Sequence, residues 1–171
     1  MFKQKGNWIV YDIEQEKTVV STEDDMAYYI ESNDTLFPKD IWMLKDGTLL
    51  VSQQEPVKNI FEIYSTDQMQ MEGSINLNDY APTFKTILYE YHESGYLYVL
   101  MFKNLETMLL KIDPLNTGNW EKIDLPILNS ETIELFSVME NTIAIYKSTG
   151  SIEIFDLNKR TLKSTFMPFF S

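Results

Sequence analysis

The chain has 171 residues, 44% of them apolar, with 26 Asp+Glu against 14 Lys+Arg and a formal net charge of −12. Ten Tyr, ten Phe and three Trp carry more apolar surface than a solvated tail does, so the sequence folds and holds its charge on a folded surface. The lack of cysteine excludes a disulfide framework and thiolate metal sites, no run approaches the ~20 apolar residues of a membrane-crossing helix, and the acidity opposes binding to nucleic-acid phosphates or anionic lipid.

The opening Met1-Phe2-Lys3-Gln4-Lys5-Gly6 has no apolar core of a secretory signal, and a cytoplasmic protein is expected. Trp8 to Ile13 and Lys17 to Thr22 then read as two strands. Residues 22–40 read as a long connection, rich in acids (Glu23, Asp24, Asp25, Glu31, Asp34 and Asp40 against Lys39) and carrying Tyr28, Tyr29 and Phe37. Aromatics among acids outside a strand rhythm suit a recognition loop, so Glu23, Asp24, Asp25, Tyr28, Tyr29 and Phe37 form the candidate protein-binding site. Glu23-Asp24-Asp25 lacks the alternating Asp spacing that wraps oxygens round a calcium ion, and a solvated acidic loop is its plainer reading.

Beyond residue 40 a hairpin recurs. Trp42-Met43-Leu44 turns at Asp46-Gly47 into Leu49-Leu50-Val51, a turn favoured because Gly takes positive φ at little cost. Ile87 to Val99 repeats it, turning at Glu93-Ser94-Gly95, and Ile133 to Ile145 repeats it again at Glu140-Asn141. The turns lie 48 and 46 residues apart, from Gly47 to Gly95 to Asn141. Each hairpin is followed by a strand with a shared ending: Ile60 to Ser65, Met108 to Asp113, and Ser151 to Leu157. Val10-Tyr11-Asp12-Ile13 has the same ending, placing anchors at Tyr11, Tyr64, Ile112 and Phe155. A more polar strand closes each unit, at Lys17 to Thr22, Gln68 to Leu77, Trp120 to Leu125 and Thr161 to Phe166. Between the second and third units, residues 78–86 read as a loop with a short helical turn.

Four antiparallel strands recurring at this interval, with Tyr11-Asp12 and Phe155-Asp156 as aromatic-Asp endings, resemble the blades of a β-propeller of the WD-repeat or quinoprotein-like kind. The Gly-His element of true WD repeats is absent, since His92 is the only histidine. The expectation is a single all-β domain over 1–171: full blades at 41–77, 87–125 and 133–166, and a partial blade of two outer strands at 8–22. A β-sandwich is the alternative. Bare blade faces at the ends of such an array, at ~800 Å² each, would gain up to roughly 20 kcal/mol from being covered, which points to a protein partner, a second copy or an internal cap.

Catalytic groups are few. One histidine leaves one possible triad base, His92 reads as a turn residue, and six glycines supply no phosphate-binding loop. No catalytic, cofactor-binding or metal-binding residue is assigned. The expected function is a non-enzymatic protein-interaction module, in its sharper form an acidic inhibitor of a basic partner, of the immunity or counter-defence type. A glycan- or lactone-processing propeller enzyme and a small-ligand or glycan-binding propeller are the other readings.

Overall fold

The computed structural model describes residues 2–4, 7–12, 17–21, 27–31, 38–53, 59–67, 70–104, 106–126 and 133–167. They form sixteen strands in four sheets, each an antiparallel meander of four consecutive strands. Cα packing groups the chain into two compact units, Met1–Tyr80 and Ala81–Ser171, of two sheets each.

In the first unit, β1 (Phe2–Gln4), β2 (Asn7–Asp12), β3 (Lys17–Ser21) and β4 (Ala27–Glu31) pair in chain order. This sheet has four strands where two were expected at 8–22. Phe2-Lys3-Gln4 is too short to show a period of two, but it pairs Phe2 with Ile9 and Lys3 with Trp8. Ala27 to Glu31, expected in a loop, has two Tyr and an Ile, residue types that suit a pleated surface. The strand bearing Tyr11-Asp12 is therefore second in its sheet. Its likeness to Phe155-Asp156, on a third strand, is one strand out of step.

The second sheet comprises β5 (Pro38–Met43), β6 (Leu49–Gln53), β7 (Ile60–Tyr64) and β8 (Met71–Asn76). Its period of two puts Leu49 and Val51 on one face, packed by Ile41, Met43 and Tyr64. The fully buried Leu50 and Phe61 belong to the other, where the Trp42 ring lies 6.5 Å from that of Phe61. A 3₁₀ turn, Leu77–Asp79, follows β8; the Asn76 side-chain oxygen accepts the Asn78 N–H (3.1 Å), and the Leu77 N–H donates to the Asn59 carbonyl.

In the second unit, β9 (Lys85–Tyr91), β10 (Leu97–Lys103), β11 (Glu106–Ile112) and β12 (Trp120–Leu125) form the third sheet. The fourth comprises β13 (Ile133–Met139), β14 (Thr142–Lys147), β15 (Ile152–Asp156) and β16 (Thr161–Phe166). These two sheets share one core. Tyr98, Leu100, Leu109, Ile123 and Leu125 of the third meet Phe136, Val138, Ile143, Ile145 and Phe155 of the fourth. At one edge Glu90 of β9 accepts hydrogen bonds from Val138 N (3.2 Å) and Ser137 Oγ (3.4 Å) of β13, tying the two leading strands together.

The turns explain the repeat. At Leu44–Thr48 and His92–Tyr96 the same two backbone bonds close the loop (Gly47 N to Leu44 O, 3.1 Å; Gly95 N to His92 O, 2.9 Å), with Gly47 at φ +92° and Gly95 at +94°. The turn expected as their third copy, Glu140-Asn141, is a shorter two-residue loop with Glu140 at φ +52°. The glycine form returns one strand later, where Gly150 (φ +82°) donates to Lys147 O.

Candidate functional site

Three aspartates at turns cap the loops that follow them. Asp156 Oδ1 accepts the backbone N–H groups of Asn158 (3.0 Å) and Lys159 (2.9 Å), and Asp113 Oδ1 accepts that of Leu115 (3.0 Å). Asp46 Oδ1 does the same for Thr48, from both N (3.0 Å) and Oγ1 (2.7 Å). The Asp that ends a third strand is thus a loop cap, because its short side chain reaches the N–H groups two and three residues on. His92 has a similar role: Nδ1 accepts from Ser94 N at 3.1 Å while the ring lies edge-on to Tyr98. Among the described residues no group of three or more His, Cys, Asp or Glu comes together as a metal site, and no helix is long and apolar enough to cross a membrane.

Of the six candidate protein-binding residues, Glu23, Asp24, Asp25 and Phe37 lie outside the described residues. Tyr28 and Tyr29 lie on β4, the edge strand of the first sheet, paired with Val20 and Val19. They are ladder members and not loop residues.

The last sheet carries a surface that no single stretch of sequence shows. Strand pairing sets Leu135 opposite Tyr146, Tyr146 opposite Ile152, and Ile152 opposite Phe166, an apolar row across all four strands. The row lies on the face away from the shared core, because Leu135 and Tyr146 alternate with the buried Phe136 and Ile145. Its end members, Leu135 and Phe166, are each 54% exposed, and Met139 on the same face is 71% exposed. The neighbouring row is Ser137, Ala144, Ile154 and Ser164, three of them small.

The third sheet contributes a concavity. Phe84, Glu106, Met108, Lys122 and Asp124 line an open depression of about 430 Å³. The ammonium groups of Lys122 and Lys103 both approach the Phe84 ring, 5.4 and 6.0 Å from its centroid.

Two tyrosines have raised hydroxyl pKa values, Tyr64 the more strongly. Burial raises Tyr64, and its hydrogen bond to Glu62 (2.8 Å) and the charge of that carboxylate raise it further. Burial also raises Tyr98, against the opposing effect of a hydrogen bond with Ser94. Both are side chains packed within or beside a core, and neither lies in the depression or on the apolar row.

No protein-family model matches the sequence, and no curated protein matches it. Among solved structures, the β-propeller domain of Myceliophteria thermophila Cps50 (Swd1) superposes with a TM-score of 0.64 at 10% identity, over 97% of this chain. The match spans 58% of that domain's chain. At this identity the likeness concerns the fold: an all-β array of four-stranded, β-propeller-type blade repeats, as the sequence pattern resembled.

Proposed function

We propose that this protein is a non-enzymatic protein-interaction module that docks a basic partner on the outer face of its last sheet. The observation that carries the reading is the apolar row Leu135–Tyr146–Ile152–Phe166, whose ends are more than half exposed. An apolar strip of this kind on a sheet face is what a partner covers, since burying it removes apolar area from water without desolvating charge. The partner's basic character is argued from charge. A chain with net charge −12 attracts a cationic protein and steers its approach, whereas two copies would bring like charges together.

In its sharper form the module is an acidic inhibitor that occludes a basic site on that partner. Tyr28, Tyr29 and the acids Glu23, Asp24 and Asp25 are proposed as a further contact region, with Phe37. The experiment is co-purification from the source cell with wild type and the double variant Leu135→Glu/Phe166→Glu. A basic protein held by wild type, released by the double variant and weakened at high salt supports the reading. Retention of the same protein by the double variant would contradict the docking face.

A further inference from the structure

We infer that Met139 and Met167 are oxidation sites that govern the docking face: a two-electron oxidant such as hydrogen peroxide turns their thioethers into sulfoxides, and the oxidised face releases its partner. The inference rests on the docking reading proposed above. Met139 and Met167, at 71% and 70%, are the two most exposed large apolar side chains among the described residues. Met139 stands on the outer face of the last sheet, since Leu135, Ser137 and Met139 alternate along β13 with the buried Phe136 and Val138. Along the strand it lies about 13 Å from Leu135, at ~3.3 Å per residue. One side of a standard interface, ~800 Å², reaches across that span, so a partner seated on the apolar row also covers Met139. Met167 directly follows Phe166, the other end of the row.

Composition and burial single out these two thioethers. The chain has no cysteine, so no thiol competes for the oxidant. Peroxide is uncharged, so the net charge of −12 does not repel it. Met101 and Met108 of the third sheet, 0% and 1% exposed, are shielded, whereas Met139 and Met167 are open to water. In the step itself a sulfur lone pair attacks one peroxide oxygen, the O–O bond breaks, an S–O bond forms and water leaves; sulfur gives up two electrons and the peroxide takes them. The product replaces a flexible apolar side chain with a polar one that carries a hydrogen-bond acceptor. A partner that covers it must desolvate that oxygen, which weakens binding about tenfold for each sulfoxide left without a donor.

The full chain is treated with graded hydrogen peroxide and digested for mass spectrometry of its methionine peptides. Met139 and Met167 are expected to gain one oxygen at least about tenfold faster than Met101 and Met108. Wild type that has been oxidised and freed of peroxide should then fail to hold the basic protein that unoxidised wild type co-purifies from the source cell. Met139→Leu/Met167→Leu keeps both positions apolar without a sulfur, and should hold that protein before and after the treatment. Met139→Gln/Met167→Gln, polar with no oxidant present, should hold it weakly from the start. Met71→Leu, at an exposed position of the second sheet, should leave the response to peroxide unchanged. Equal oxidation of core and exposed methionines, undiminished capture by oxidised wild type, or peroxide sensitivity surviving in the double Leu variant would each overturn this inference and leave the docking face standing. No capture by unoxidised wild type would overturn the docking face, and this inference with it.

Discussion

Asp113 and Asp156 end the third strands of their sheets and accept the N–H groups of the loops that follow, and this explains why an aliphatic or aromatic residue followed by Asp recurs in the sequence. Asp156→Ala leaves two loop N–H groups without that acceptor and is expected to cost about 1 kcal/mol in urea unfolding, with Asp156→Asn recovering most of it. Gly47 has φ +92° and open space where a Cβ would go, so Gly47→Ala is expected to lose ~1 kcal/mol through backbone strain alone, with no clash to relieve. Tyr64 and Tyr98 hold their protons more tightly when folded than the unfolded chain holds them. Their contribution is fully present below the ordinary tyrosine value near 10 and is lost as pH rises above it, because only the unfolded state then releases the proton. Stability should therefore fall above about pH 10, and Tyr64→Phe should flatten that fall; an unchanged alkaline slope in the variant would contradict the cause given for Tyr64.

At the scale of the element, the shared core of the third and fourth sheets depends on close packing and on one polar tie. Leu109→Ala removes a fully buried side chain facing Phe136 and Val138's sheet and should cost about 2–5 kcal/mol. Glu90→Ala leaves the partly buried N–H of Val138 without its acceptor and should cost about 1–3 kcal/mol, measured by the shift in denaturation midpoint. Three of the four meanders were legible because each has apolar alternation broken by a recognisable turn, such as Asp46-Gly47 or Ser94-Gly95. The first was half legible. Phe2-Lys3-Gln4 is shorter than one full alternation, and Ala27 to Glu31 is flanked by acids that read as loop. The sites were less visible than the strands. Leu135, Tyr146, Ile152 and Phe166 come together only through pairing register. A register shift at Leu135 and another near Phe155 further hide the row from a period-two reading.

For the molecule as a whole, two features set the function proposed: a surplus of negative charge and an apolar strip left uncovered on the last sheet. Charge governs the rate and salt dependence of encounter, while the strip governs how long a complex lasts. Charge reversal at exposed acids should therefore slow association with little effect on dissociation, and Leu135→Glu/Phe166→Glu should speed dissociation. The most direct test is photo-crosslinking in the source cell from a photoreactive residue placed at position 135 or 166, with position 159 as a control on an exposed loop. Covalent capture of one basic protein from 135 and 166, and not from 159, is the predicted result. Crosslinks joining only copies of this chain, or the same products from all three positions, would contradict the proposed docking face.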